Sequence, residues 1–600
     1  MRVDENRAAD AYRRGLWVRT TLADSLRDAA QRTPERTVLV DGDIRVDCQT
    51  LQAWAIALAH YLMTRMPPGS VVSFMLPNWY EAAVIYLGAT LAGMVVNPIL
   101  PSLRDRELQF ILSDANSRAI FIPADFGRHD YVAMLDRVTS QMASPPEVVV
   151  LRGDERSLPL EKSSKSRAVR NVRGHTSYTS YASLFTEGAA SGMPVLNPDA
   201  VRMILYTSGT TGRPKGVLHT HNSIHALISQ LGNHWLVDDG DVFLVPSPIA
   251  HIGGSIYAFE CPLLLGTTAV LMERWDPDAA VSLMTTERCT HMAGATPFLV
   301  GLLTAAEQAG TRLPDLKVFI CGGASVSESL IRTAAGYFER TAVSRVYGST
   351  EVPVTTVGAL GDLEHAAQTD GHAGIADIKL VDDEIRARGP QMLVGYLHPE
   401  DETGSFDDGG FFRTGDLGRW LDDEYLVVTG RAKDIIIRNG ENISPKEIED
   451  ILVGHEGIAE IAVVGIPDER TGERACAVIV TADQPAPALT DLRELLMRQG
   501  VAKFKIPEQV EIWDVLPKND AGKVLKHRIR AMLTKVDVCM QVAIVTGASS
   551  GIGFGCATKL ADAGMAVLGT GPGRGQAGRP GEGDQRRRAR RHPRRRSHRR

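Results

Sequence analysis

The sequence predicts an α/β protein: a large N-terminal domain of helix-covered sheets in several layers, followed by a smaller α/β domain. Three observations carry that expectation. Six hundred residues exceed what one core organises, since domains run to roughly 100 to 200 residues. From residue 17 to residue 321, short β-branched runs alternate with segments of helical period, as in parallel strands joined by crossover helices. The alternation resumes after the Gly430-Arg431 pair and continues to about residue 535.

In chain order, residues 22–30 and 51–61 have helical spacing, with a strand at 37–40 between them. Strands follow at 71–76, 95–98 and 119–122, separated by helices at 78–93 and 104–112, and this order implies a parallel, helix-covered sheet. Residues 152–198 turn polar and predict a surface connection. An apolar strand at 201–206 comes next, then strands at 242–245, 268–272 and 317–321. In the smaller domain, Ser444 and Glu447 form a capping-box pattern around Pro445 at the first helical position, and Ile448, Ile451 and Leu452 supply an apolar face. Residues 462–466 and 476–480 have the pattern of paired strands.

The strand at 201–206 leads into YTSGTTGRPKG, residues 206–216. Gly209, Gly212 and Gly216 let a backbone approach a polyphosphate and turn N–H groups toward it. Tyr206, Thr207, Ser208, Thr210 and Thr211 add hydroxyls, and Lys215 adds a positive charge. Arg213 and Pro214 separate Gly212 from Lys215, so the spacing is not that of a Walker loop. A Gly/Thr-rich surface turn after a buried strand is the plain alternative.

Composition narrows the class. A hydrophobic content of 44% with 23% charged residues describes an ordinary globular chain. The longest apolar run, residues 82–97, is shorter than the roughly 18 residues a membrane helix needs. The charged N-terminus has no signal-like apolar segment, so the cytoplasm is the default location. Seven scattered cysteines show neither zinc-ligand spacing nor a disulfide framework. Residues 586–600 hold ten arginines and no acids; without them the net charge of −6 would stand at −16. That basic end has no aromatic interleaving, so no specific nucleic-acid partner is expected.

Six further segments accompany the loop: PIAHIGG (248–254), CGGASVS (321–327), YGSTE (347–351), RTGDLG (413–418), GRAKDIIIRNGENISPKEIE (430–449) and PKNDAGKVLK (517–526). Taken together and in this order, they make residues 17–533 resemble the adenylate-forming enzymes: acyl-CoA synthetases, luciferases and peptide-synthetase adenylation domains. The resemblance implies an AMP- and acyl-binding domain at 1–430 and a mobile domain at 431–535. It also implies ATP, Mg2+ and coenzyme A as co-reactants and a small carboxylic acid as substrate, and it admits a homodimer. Phosphate contacts fall to Thr207, Ser208, Gly209, Thr210, Thr211, Gly212 and Lys215. Lys523 would bridge the acyl carboxylate and the α-phosphate, Glu351 would ligate Mg2+ and Thr350 would contact phosphate. Tyr347 would stack on adenine, Gly348 beside it, with Gly322, Gly323 and Ala324 lining its edge. Asp416 would accept the ribose hydroxyls near Arg431. The small domain would swing at Lys433, replacing the lysine loop with the Gly440-Glu441 turn for thioester formation. His251, Gly253 and Gly254 would border the acyl group, the glycines leaving room for a bulky or alicyclic acid. Residues 73–112 look most like the medium-chain and cyclohexanecarboxylate branch of the ligases.

Taken singly, Glu351 reads as a solvated acid, Lys523 as a surface lysine, Asp416 as a turn residue and His251 as a structural histidine. Lys526 stands where the family usually has arginine, and Asp520 where acids seldom occur. A carrier-protein thiol is the alternative acceptor. Residues 541–568 resemble the first strand and helix of a short-chain dehydrogenase, with Gly547, Gly551 and Gly553 as the dinucleotide turn. The Tyr-x-x-x-Lys pair of such a domain is missing, which leaves an NAD(P)-dependent reductase fusion as a remote alternative. Residues 536–600 are expected to be read-through from a neighbouring frame, largely disordered and outside the chemistry.

Overall fold

The computed structural model describes residues 5–152, 178–180, 184, 192–208, 213–323, 326–439, 441–468, 470–482, 486–519, 522–534, 542–546 and 566–570. The chain forms two compact units, Met1–Arg530 and Ala531–Arg600.

In the first unit, a seven-stranded sheet runs Ala342–Val346, Val318–Gly322, His291–Gly294, Val242–Val245, Thr268–Leu271, Thr37–Asp41, Ile44–Asp47. Its pairs are parallel except the last, an antiparallel hairpin. An eight-stranded sheet runs Gly395–Tyr396, Pro214–Thr220, Val201–Ser208, Val95–Pro98, Val71–Phe74, Ser117–Pro123, Glu147–Leu151, Tyr178–Ser180. One continuous apolar cluster takes residues from both sheets, including Val72 and Leu205 from one and Leu39 and Phe243 from the other. The helix Tyr80–Leu91 joins that cluster with all its residues buried, as a helix apolar on every side must be.

The polar stretch predicted as a surface connection departs from that expectation at Tyr178–Ser180, which adds a parallel edge strand beside Glu147–Leu151, and at Leu184, which is buried. The parallel pattern also breaks where the sequence showed no warning. Strand Val201–Ser208 turns back on itself, and Pro214–Thr220 returns antiparallel to it with Thr207 opposite Lys215. A third sheet, Asp377–Val381, Glu384–Arg388, Phe412–Leu421, Tyr425–Arg431, is antiparallel throughout.

Beyond Arg431 the predicted small α/β domain is present. Ile458–Asp468 and Gly472–Thr481 form the expected hairpin, with Gln509–Ile512 added in parallel. Helix Pro445–Leu452 buries Ile448 and Leu452 against them. Its capping box is not formed. Ser444 Oγ instead donates to the Thr429 carbonyl at 2.6 Å, and Glu447 pairs with Lys505 at 2.7 Å. The serine thus ties the small domain to the last strand of the large one, a tertiary bond that outcompetes the local one.

The second unit contains Val542–Thr546 and Ala566–Thr570, which pair in parallel with Val542 opposite Ala566. The lone strand expected there has a partner. Gly547, Gly551 and Gly553 lie outside the described residues.

Candidate active site

The hairpin Val201–Ser208 and Pro214–Thr220 places its tip at the expected phosphate loop. Gly209, Thr210, Thr211 and Gly212 lie outside the described residues, as do Ala324 and Gly440, and of Ser208 only the backbone is described. Thr207 and Lys215 face each other across the base of the loop. Tyr206, expected to lend the loop a hydroxyl, donates it to Asp114 at 2.7 Å. Gly216 is held to glycine by packing: a Cβ there would stand 3.1 Å from Leu397 Cβ and 3.2 Å from Ile204 Cγ2. Arg213 and Lys215 both meet Asp401, at 2.8 Å to its carboxylate and 3.2 Å to its carbonyl.

A second group forms where three elements converge. Tyr347, just past strand Ala342–Val346, donates its hydroxyl to Asp416 Oδ2 at 2.8 Å, and Arg431 Nε meets Asp416 Oδ1 at 2.7 Å. Asp416 and Arg431 are register partners on adjacent antiparallel strands, so the pairing of the sheet itself brings them together. Burial and the Asp416 charge hold the Tyr347 phenol well above its usual pKa, keeping it a neutral donor. Each Asp416 oxygen retains a lone pair for a further donor. Gly322 ends the neighbouring strand, and Gly323, which follows it, has φ +81°, a conformation that favours glycine.

Lys523 arrives from the small domain. Its loop closes on itself through Asn519, whose side chain accepts from Lys523 N at 2.8 Å. A Cβ on the preceding Gly522 would lie 3.5 Å from Pro297 Cγ, so the loop rests against the large domain. Burial and the Arg431 charge lower the Lys523 pKa to about 8, with Lys433 acting in the same sense and Asp416 and Asp434 opposing. His251 faces open space, yet crowding by protein and the Lys523 charge lower its pKa. Lys433 is exposed in the turn Ala432–Asp434, its pKa lowered by partial burial and by Arg431. The Lys523 loop, the Asp416–Arg431 pair, the turn Ala432–Asp434 and His251 therefore share one electrostatic neighbourhood. Glu441 lies on an exposed strand opposite Arg438, with no contact to that group among the described residues.

Sequence profiles now decide the family. That of the AMP-binding enzymes matches residues 26–397, and that of the AMP-binding enzyme C-terminal domain matches residues 447–523. The chain belongs to the AMP-binding enzyme family. It is 33% identical over 564 residues to a medium-chain fatty-acid–CoA ligase of Escherichia coli, covering 90% of this chain and 95% of that one. It is 30% identical over 518 residues to a methyl-dioxo-octahydro-indenyl-propanoyl:CoA ligase of Rhodococcus jostii, covering 85% and 98%. Among solved structures, ATP-bound MatB from Rhodopseudomonas palustris superposes with a TM-score of 0.73 at 26% identity, covering 86% and 99%.

In this AMP-binding enzyme the two glycines expected beside the acyl group differ. A Cβ on Gly254 would stand 2.1 Å from the Pro248 carbonyl oxygen and 2.6 Å from that of Ser247. Its missing side chain thus admits backbone, and the room expected there for an acyl group is already filled. Gly253 would meet only His251 Nδ1, at 3.5 Å. Gly254→Ala is expected to destabilise by about 2 to 3 kcal/mol through overpacking, whereas Gly253→Ala is tolerated. Thermal unfolding of the two variants side by side checks this; equal melting temperatures would refute it.

Thr350 and Glu351 are held by residues that sequence reasoning missed. Fully buried His219 has its pKa lowered to about 4 by desolvation, and its Nε2 lies 2.8 Å from the Thr350 carbonyl. A carbonyl only accepts, so the neutral ring carries its proton on Nε2. Leu393 N donates to the Glu351 carbonyl at 2.7 Å, and Tyr396 Oη donates to Glu351 Oε1 at 3.1 Å. Glu351 Oε2 makes no hydrogen bond among the described residues. One hard carboxylate with an oxygen that makes no hydrogen bond among the described residues fits Mg2+, which takes one or two carboxylates together with substrate phosphates. No cluster of three or more His, Cys, Asp or Glu side chains that could hold a metal occurs among the described residues. No helix among the described residues is long and apolar enough to cross a membrane.

Proposed function

We propose that this chain is an ATP-dependent, AMP-forming acyl-CoA ligase built from a nucleotide- and acyl-binding domain at 1–430 and a mobile domain at 431–535. The observation that carries the reading is the convergence of Lys523, on the small domain, with the Tyr347–Asp416–Arg431 chain of the large one. A cation placed beside a nucleoside-binding carboxylate is what adenylation requires, because a carboxylate and ATP repel each other.

In the first half-reaction a carboxylate oxygen of the acid attacks the α-phosphorus. The bond from that phosphorus to the bridging oxygen breaks, and pyrophosphate leaves. Lys523 draws the two anions together and stabilises charge on the α-phosphate. Thr207, Ser208, Gly209, Thr210, Thr211, Gly212 and Lys215 hold the departing phosphates by N–H, hydroxyl and ammonium donors. Asp416 accepts from the ribose, Tyr347 with Gly348 covers the adenine, and Gly322, Gly323 and Ala324 line its edge. Glu351 would hold Mg2+, which neutralises phosphate charge when bound, while Thr350 donates to phosphate. In the second half-reaction the small domain turns at Lys433 and brings Gly440 and Glu441 to the site. The coenzyme A thiol, losing its proton, attacks the acyl carbon; the bond to the AMP oxygen breaks and AMP departs. Neither step needs a side-chain nucleophile.

The acid is of medium-chain or alicyclic type. The two ligase relatives support that class, one named for medium-chain fatty acids and the other for a bicyclic propanoyl group. We read residues 541–568 as a short-chain-dehydrogenase-like fragment outside this chemistry, a reading supported by the parallel pairing of its two strands. ATP–pyrophosphate exchange screened over short, medium, alicyclic and aromatic acids, with coenzyme A trapping of the hits, tests the proposal. Exchange and thioester formation are expected with medium-chain or alicyclic acids. No exchange with any acid would overturn adenylation, and AMP release only with a holo carrier protein would overturn the acceptor.

A further inference from the structure

Tyr396 lies outside every segment that the sequence singled out, yet it touches both charges that frame the polyphosphate site. It sits on the two-residue strand Gly395–Tyr396, paired with the return arm of the phosphate hairpin so that Val217 stands opposite it. Lys215 Nζ lies 5.0 Å from the centroid of its ring, within cation–π range, and its hydroxyl donates to Glu351 Oε1 at 3.1 Å. The side chain is only 6% exposed, so neither contact is made by a freely rotating group. A lysine on four methylenes has many rotamers to lose, and a ring beneath its ammonium removes several before any phosphate arrives. Asp401 steadies the same ammonium through its carbonyl at 3.2 Å, and Leu393 N steadies the Glu351 backbone at 2.7 Å. One rigid phenol therefore sets the distance between the phosphate cation and the carboxylate on the other side.

We propose that Tyr396 is a positioning residue with two separable duties: its ring seats Lys215 for the phosphates, and its hydroxyl orients Glu351 toward a divalent cation. The phenol hydroxyl donates to Glu351 Oε1 at 3.1 Å. By occupying Oε1, it leaves Oε2 as the oxygen presented to the ion. This inference rests on the reading of Glu351 as the Mg2+ ligand, and the experiment separates the two.

The full chain and its Tyr396→Phe, Tyr396→Leu and Glu351→Gln variants are titrated with Mn2+ in the presence of ATP, with free ion followed by electron paramagnetic resonance. ATP binding in excess chelator is measured in parallel by calorimetry. Tyr396→Phe retains the ring, so metal-free ATP binding stays within about twofold of wild type while Mn2+·ATP binding weakens about tenfold, as expected for a lost hydrogen bond to a charged group. Tyr396→Leu loses both contacts and also weakens metal-free ATP binding several-fold. Glu351→Gln weakens Mn2+·ATP binding at least as much as Tyr396→Phe. Unchanged Mn2+ binding in Glu351→Gln would overturn the reading of Glu351 and the inference with it. Weakened binding in Glu351→Gln but not in Tyr396→Phe would overturn the inference alone. Equal losses of metal-free ATP binding in Tyr396→Phe and Tyr396→Leu would refute the division between ring and hydroxyl.

Discussion

Lys523→Ala is expected to lower ATP–pyrophosphate exchange by about two to three orders of magnitude, the usual cost of removing one charged donor from a phosphoryl-transfer site. Transfer of the acyl group from supplied acyl-adenylate to coenzyme A should change little, because the proposed turn of the small domain would withdraw the lysine loop in that step. The pH profile gives a second readout. With a pKa of about 8 in the nucleotide-free protein, Lys523 is cationic below that value and increasingly neutral above it. A neutral amine attracts neither anion, so kcat/KM for ATP should fall as pH rises through about 8. Lys523→Arg retains its charge and should lose that descending limb even if its maximum is lower. Equal losses in both half-reactions, or a limb that persists in Lys523→Arg, would contradict the assignment. Lys433 also has a lowered pKa, and Lys433→Ala, in which the limb should remain, separates the two lysines.

The other large effect lies in the core. Arg202, on the strand that leads to the phosphate loop, is 2% exposed, and Glu260, on the π-helical turn Ile256–Glu260, is 1% exposed. They meet at 2.6 Å, and Tyr86 joins both, donating to Glu260 at 2.6 Å and accepting from Arg202 at 2.7 Å. Removing one partner strands a charge in a dry interior. Glu260→Leu should therefore destabilise by about 3 to 5 kcal/mol. Replacing the whole set at once, as Arg202→Met, Glu260→Leu and Tyr86→Phe, should restore most of the lost melting temperature, since an apolar set of similar volume needs no compensation. If the triple variant melts below the single one, this account of the ion pair is wrong. The pair also links two parts of the site: the acyl-side segment containing His251 and Gly253 runs directly into the π turn, and Arg202 anchors that turn to the phosphate strand.

Much of this was legible from residues alone. Strands at 95–98 and 242–245 begin and end where their β-branched runs do, and the small-domain hairpin follows its two apolar stretches. Periodicity is a local quantity written into neighbouring residues, and so are loop glycines, which is why residues 206–216 and 517–526 stand out in the chain order. The all-antiparallel sheet of residues 377–431 was not legible, because its strands are polar enough to read as connections and gain order only from one another. Ser444 shows the same limit: its local pattern specifies a cap, but a carbonyl of residue 429 lies within reach and takes the hydroxyl.

The sequence by itself determined the chemistry available: which residues carry hydroxyls, ammonium groups and carboxylates, and in what order along the chain. Only the tertiary structure decided their partners. Asp416 faces Arg431 because two strands pair in that register, and Gly254 is glycine because the backbone of Ser247 and Pro248 folds back onto its Cβ position. Glu351 meets Tyr396 because a two-residue strand closes the edge of the sheet. Hydrogen bonds, ion pairs and close contacts fall off over a few ångströms, whereas these partners are not neighbours in the chain, and only the completed fold brings them within range.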